Sequence, residues 1–311
     1  MTQTNDTPTV STAYIDGRYM PLNEATIPIT DWGYRRSDVT YDVVGVWRGN
    51  FFRLDDHITR FRASMNAFRF RPRETDEEIK LILHRCVAIS GLLNAYVAID
   101  CLRGRPPEGS PYHPAYARNY IIAFAMPWIS LLKPDVMARG AHLVVAETVR
   151  ISARAVDPTA KNFHWADLTR GQFEAHDRGA DFCVLLDEDG NVTEGPGFNI
   201  FIVSNGRIAT PDLGVLEGIT RRSVIELCGE LGLPIEVRPV PVAELREADE
   251  IFLSTTAGGV MPAARIDGRI MGNDRPGPIS QKVQDAFWSR RAEGWHATPV
   301  DYAAAAPASP L

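Results

Sequence analysis

The 311-residue chain is 45% hydrophobic and 23% charged, which supplies apolar content for one large domain or two ordinary ones. A net charge of −6 gives no basic footprint for a nucleic-acid backbone, so small molecules are the expected partners. No apolar run approaches bilayer-spanning length and no charged-then-apolar leader pattern opens the chain, so a cytoplasmic protein without membrane association is expected.

Residues 1–12 and 303–311 are polar or Ala/Pro-rich and read as tails. A small α+β domain over 13–126 is expected to open with an Asp-Gly hairpin at 13–20. Strands at 41–47 and 51–54 follow, around Arg48-Gly49-Asn50. From Asp55 the period becomes helical, with Ile58, Phe61, Met65 and Phe68 in step, and a second helix over 76–89 starts behind Thr75 as its N-cap. Strands at 94–102 and 120–125 flank a Gly/Pro-rich segment, 103–118, long enough to suggest a functional loop.

A linker is expected over 127–137, then a larger domain over 138–302. Its strands (142–148, 181–186, 199–203, 235–240, 250–254) alternate with helices (165–178, 221–231, 280–291), and Asn205-Gly206 and Asp267-Gly268 mark hairpins. The whole reads as a mixed α+β and α/β fold in two domains, without internal repeats. Cys86, Cys101, Cys183 and Cys228 show no CxxC spacing and read as buried thiols, so no metal site is expected.

Only four lysines, Lys80, Lys133, Lys161 and Lys282, stand against 29 arginines, which leaves few candidates for a nucleophilic amine. Lys161 lies where a loop gives way to an amphipathic helix, beside apolar Phe163 and Trp165. Such surroundings disfavour an ammonium and leave an amine able to condense with an aldehyde. Glu194 precedes a glycine-rich turn into an apolar strand and would suit a cationic partner such as a protonated pyridine nitrogen. Two segments suit a phosphate: 214–221, leading into a helix N-terminus, and 254–259, leaving a strand with hydroxyls and glycines. Arg60 could add a charge-assisted bond to the same anion. Taken singly, each motif also fits an ordinary surface residue, N-cap or turn.

In combination, these segments resemble the fold-type IV pyridoxal-phosphate aminotransferases (the branched-chain and D-amino-acid aminotransferase family), and most closely their (R)-selective amine transaminase branch. The resemblance rests on Ser37-Asp-Val-Thr-Tyr-Asp42, Phe52-Arg-Leu-Asp-Asp-His-Ile-Thr-Arg60, Asp157-Pro-Thr-Ala-Lys-Asn-Phe-His-Trp165, Thr193-Glu-Gly-Pro-Gly-Phe-Asn199, Gly218-Ile-Thr-Arg221 and Thr255-Thr-Ala-Gly-Gly259. It implies pyridoxal 5′-phosphate bound to Lys161 as a Schiff base, with Glu194 on the ring nitrogen and Leu216 against the ring. It further implies a phosphate cup from Arg60, Ile219, Thr220, Thr255 and Thr256. A homodimer with interfacial active sites is implied as well, with Lys161 moving a proton between the substrate carbon and the cofactor's C4′.

By the same resemblance, Tyr41, Tyr96 and Trp165 fall on positions that wall the substrate pockets. Arg36 and Ala98 depart from some relatives, which carry histidine and glutamate there. Arg105 is the first choice for binding a substrate carboxylate, with Arg103 and Arg118 behind it. The expected reaction moves an amino group from an (R)-amine to a keto acid such as pyruvate. A D-amino-acid or branched-chain amino-acid aminotransferase is the alternative, and an aminodeoxychorismate-lyase-like enzyme ranks behind both.

Overall fold

The computed structural model describes residues 11–305, so most of both expected tails, at 1–10 and 306–311, lies outside the described residues. Of their inner ends, Thr12 opens the first strand and Tyr302–Ala305 forms a turn of 3-10 helix. The chain divides into two compact units. The first runs to Ile129 and takes in Ala160–Phe163 and the chain from His296; the second holds Ser130–Thr159 and His164–Trp295.

In the first unit the elements are β1 (Thr12–Ile15), β2 (Arg18–Pro21), α1 (Trp32–Arg36), β3 (Val39–Trp47), β4 (Asn50–Phe52), α2 (Leu54–Ala67), α3 (Asp76–Ser90), β5 (Ala95–Leu102) and β6 (Tyr120–Pro127). With a last short strand at Ala297–Pro299 they make a seven-stranded sheet in the order (297–299)-β4-β3-β5-β6-β1-β2. Two hairpins turn on left-handed pairs, Asp16-Gly17 (φ 43° and 96°) and Arg48-Gly49 (φ 50° and 74°), which match the twist of the strands they join. Thr75 and Glu78 form a reciprocal capping box that starts α3 as its sequence suggests.

Alternation along the strands sorts this sheet into two faces. Val44, Val46, Val97, Ile99 and Cys101 pack with Phe61 and Met65 of α2 and Ile79 and Leu83 of α3 in one buried core. Each fully buried large side chain contributes about 1.5–3 kcal/mol. The opposite face of β3 and β5 carries Tyr41, Val43, Tyr96, Ala98 and Asp100, with Tyr41 paired in register with Asp100 and Val43 with Ala98.

The second unit contains α4 (Pro134–Arg139), β7 (Ala141–Val149), α5 (Ala166–Asp177), β8 (Phe182–Leu186), β9 (Asn199–Ser204), β10 (Arg207–Thr210), α6 (Ile219–Glu230), β11 (Ile235–Val237), α7 (Val242–Glu247), β12 (Glu250–Thr255), β13 (Gly259–Ile266), β14 (Arg269–Ile270) and α8 (Pro278–Ala292). Its sheet runs β11-β10-β9-β12-β13-β7-β8, with β14 beside β13. β7 lies parallel to both β8 and β13, and β10 parallel to β11, while the other pairs are antiparallel. β11 stops at Val237, short of the expected 240, because Pro239 and Pro241 have no N–H to continue a ladder. α4 occupies part of the expected linker, started by Pro134 at a position where a missing N–H costs nothing.

Candidate active site

Lys161 belongs to the first unit, and its backbone is fastened to the start of β3. The Thr40 hydroxyl and the Tyr41 N–H donate to its carbonyl at 2.7 and 3.3 Å, and its own N–H donates to Ser64 Oγ at 3.0 Å. The side chain places Nζ 4.3 Å from the centre of the Tyr41 ring, whose other neighbour is the Phe163 ring at 4.9 Å. Phe163 is 40% exposed, so the aromatic wall beside this amine is partly open.

Beneath Tyr41 on the core face lies a network the sequence motifs contained without revealing. Asp42 is completely buried; Arg60 donates to both its oxygens, from Nε at 2.9 Å and Nη2 at 2.8 Å, and His57 Nδ1 lies 2.7 Å from Oδ1. Burial alone would raise the Asp42 carboxyl, but the Arg60 guanidinium and His57 outweigh it and hold it well below the usual carboxylate range. Burial lowers His57 against the pull of Asp42, so Arg60 supplies the cation and His57 a neutral ring. Arg60 is thereby set firmly at one orientation on α2.

Glu194 stands in the second unit at the glycine-rich turn before β9. Its Oε1 accepts from Arg150 Nη2 at 3.0 Å and Nε at 3.3 Å, and its Oε2 from the Leu216 N–H at 3.0 Å. Arg150 continues to Asp167 in the first turn of α5, Nη1 to Oδ2 at 2.5 Å. Leu216 in turn leads to the N-terminus of α6: its carbonyl accepts from Asn199 Nδ2 at 2.8 Å, and Gly218 is the N-cap, with no side chain capping the helix. A Cβ on Gly218 would lie 2.0 Å from Asn199 Oδ1, so only glycine permits this approach.

Ser254 faces Asn199 across the β9–β12 pair, and its hydroxyl is buried without a hydrogen-bond partner. An orphaned buried hydroxyl next to a helix start bare of side-chain caps fits an anion that accepts from both. The buried side chains of Ile219, Thr220 and Thr255 and the half-buried Thr256 belong to the same two segments. Glu194, Leu216 and the start of α6 thus form a continuous bonded run that suits an aromatic cation at one end and a phosphate at the other.

The remaining expected residues have separate settings. Trp165 is the residue before α5 and packs on Val144, Leu168 and Cys183. Tyr96 lies on the Tyr41 face of the first sheet, its phenol raised by burial and by its neighbours Tyr41, Asp100 and Asp42. Arg36 is exposed, its guanidinium stacked 3.8 Å from the Trp32 ring with Tyr112 of the long loop beside it. Arg105 is exposed in that loop. Arg118 pairs with Asp16, and Arg103 is a structural residue: buried, it donates to both Asp38 oxygens and to the Phe68 and Arg69 carbonyls over the Phe70 ring.

Asp100 and Arg150 are functional candidates that sequence reasoning missed. Asp100 is half-buried on the Tyr41 face with no hydrogen bond or ion pair among the described residues, and burial pushes its carboxyl up to about 7. A folded-state value above the unfolded one means that stability is fully present below about pH 4 and is lost as pH rises through about 7. Asp100→Asn is therefore expected to be more stable than the parent at pH 8, by about 2 kcal/mol after allowance for solvent screening, with the gap shrinking towards pH 4. Urea unfolding at the two pH values measures this, and an equal gap at both would remove the burial argument.

This two-sheet α/β architecture, with a lysine tethered to one sheet and a carboxylate-to-helix run in the other unit, defines a cofactor-dependent amino-group transferase. Residues 40–266 match the family model for amino-transferase class IV, and the chain belongs to that family. Among curated relatives, the D-alanine aminotransferase of Bacillus licheniformis is 30% identical, across 88% of this chain and 94% of its own. The branched-chain-amino-acid aminotransferase of Salmonella typhimurium is 30% identical, across 76% and 77%. Among solved structures, a thermophile's branched-chain amino acid aminotransferase with pyridoxamine 5′-phosphate superposes with a TM-score of 0.87 at 26% identity, covering 94% of this chain and 99% of that one. The enzyme of Thermoproteus uzoniensis with norvaline gives 0.84 at 29% identity, covering 93% and 99%. The protein is accordingly an aminotransferase of the class that works with pyridoxal phosphate.

Proposed function

We propose that this aminotransferase moves an amino group from an (R)-amine to a keto acid such as pyruvate, as a homodimer. The observation that carries the reading is the composition of the sheet face beside Lys161. It presents Tyr41, Tyr96, Ala98 and the carboxylate of Asp100 along β3 and β5, aromatic and anionic in character. Such a face accepts a hydrophobic amine and repels the α-carboxylate of an amino-acid donor. The keto-acid carboxylate then falls to Arg105 or Arg36, both exposed in the first unit.

In this reading Lys161 tethers the cofactor, and Glu194 accepts from its ring N–H. The N–H groups that begin α6 at Ile219 and Thr220 hold the phosphate with Thr255, Thr256 and Arg60, and Leu216 packs on the ring. Pyridoxal phosphate, when bound, supplies an aldehyde for the amine and a protonated ring that draws electrons from the substrate's C–H bond. The freed Lys161 amine takes the proton from the substrate carbon and returns it at C4′. Tyr41 and Phe163 fence one side of that amine and limit its access to water.

A D-amino-acid or branched-chain aminotransferase is the second reading, supported by the names of the relatives. Adding (R)-1-phenylethylamine, (S)-1-phenylethylamine, D-alanine and L-leucine separately to the loaded protein, without keto acid, distinguishes them. The visible band is expected to bleach with the (R)-amine and to return with pyruvate. Bleaching by D-alanine or L-leucine alone would move the function to an amino-acid aminotransferase.

A further inference from the structure

Arg150 follows β7 directly, and its backbone N–H donates to the Leu186 carbonyl at 2.8 Å, so the residue is pinned to the end of β8. Its guanidinium spends three N–H groups on two carboxylates, Nε and Nη2 on Glu194 and Nη1 on Asp167. All three side chains are about nine-tenths buried, at 10% exposure or less. Asp167 is itself fixed: its Oδ2 accepts from the Ile151 N–H at 2.7 Å and its Oδ1 from the Leu168 N–H at 2.8 Å. Asp167 thus holds Arg150 from behind, and Arg150 holds Glu194.

On the reading that Glu194 meets the cofactor's ring nitrogen, we propose that Arg150 is a positioning residue that keeps Glu194 ionised and oriented, and so keeps the proton on that nitrogen. The argument is one of competing bases. When a carboxylate and a pyridine nitrogen share a proton, it resides on whichever is the stronger base. A guanidinium at 3.0 Å stabilises the charged carboxylate and makes it the weaker one. The Leu216 N–H on the other oxygen acts in the same direction. An ionised carboxylate accepts about four hydrogen bonds, so these contacts are compatible with one more from the ring. Burial would lower Arg150, but Glu194 and Asp167 outweigh it and raise it, so the cation stays charged throughout the working range of the enzyme. Lysine could supply the charge but not the planar fork that reaches both carboxylates at once.

The test is the nitrogen-15 resonance of protein reconstituted with ring-labelled pyridoxal phosphate. Arg150→Gln is expected to move the resonance towards that of unprotonated pyridine and to lower kcat about tenfold or more. KM for the amine should change less than about threefold, because the interaction matters once charge enters the ring. Arg150→Lys should restore part of the shift. A role limited to tying β7 to α5 would lower the melting temperature without moving the resonance. Should Arg150→Gln not fold, Asp167→Asn loosens the same guanidinium and serves in its place. An unchanged resonance in the loaded variant overturns the proposal. Glu194→Gln separates the two layers: if it shifts the resonance while Arg150→Gln does not, only the role of Arg150 falls. If Glu194→Gln leaves the resonance unmoved, the placement of Glu194 on the ring nitrogen fails, and the role of Arg150 with it.

Discussion

Lys161→Ala is expected to lower transamination by about ten-thousand-fold or more while leaving the protein folded. The amine does two jobs in the proposed reaction, tether and proton carrier, and both leave with it. The local fold depends on other atoms. The contacts that fasten residue 161 to Thr40, Tyr41 and Ser64 are all made by its backbone N–H and carbonyl, and alanine keeps them. What the variant loses structurally is the ammonium over the Tyr41 ring, worth about 0.5–1 kcal/mol at a partly open site. Borohydride reduction followed by intact-mass measurement checks the tether: the parent should gain the mass of the reduced cofactor, and Lys161→Ala should not. Lys133→Ala, a lysine at the start of α4, is the control and should behave as the parent. Activity in Lys161→Ala above about one part in a hundred would dismiss Lys161 as the proton carrier.

The elements of both units were legible where periodicity and turn chemistry agreed. The Asp16-Gly17 and Asn205-Gly206 hairpins, the Thr75 cap and the alternation of β3 and β5 are written locally, in a few adjacent residues each. α1 was not legible, since five residues hold too little period to register as a helix. Nor was the return of Ala160–Phe163 to the first unit, because a hydrogen bond from Thr40 to residue 161 leaves no trace in the spacing of either segment.

The same contrast holds in the candidate site. Lys161, Glu194 and the start of α6 announce themselves by residue type and by neighbouring glycines. Arg150 does not: among 29 arginines only its partners single it out, and Glu194 and Asp167 lie 44 and 17 residues away. Asp100 was hidden for the opposite reason, since its importance lies in having no partner on a face that alternation alone would assign to apolar residues.

Asp42→Asn carries the largest expected cost to stability, about 3–5 kcal/mol at pH 7, a large part of what holds a typical domain folded. The substitution keeps the shape of the side chain and removes its charge. That leaves the Arg60 guanidinium, only 11% exposed, facing a neutral amide where it had a carboxylate on two N–H groups. The effect must depend on pH in one direction. The Asp42 carboxyl is held below its unfolded value, so its contribution is present above about pH 4 and is lost as pH falls through the native value. The gap between parent and variant should therefore narrow as the pH is lowered from 7 to 3, which urea unfolding at both values measures. Adding Arg60→Met to Asp42→Asn should recover part of the loss, because a buried pair removed together costs less than one partner removed alone. If Arg60 also binds the cofactor phosphate, the double variant will regain stability without regaining cofactor affinity. Recovery of both would confine Arg60 to its pairing with Asp42 and take it out of the phosphate cup.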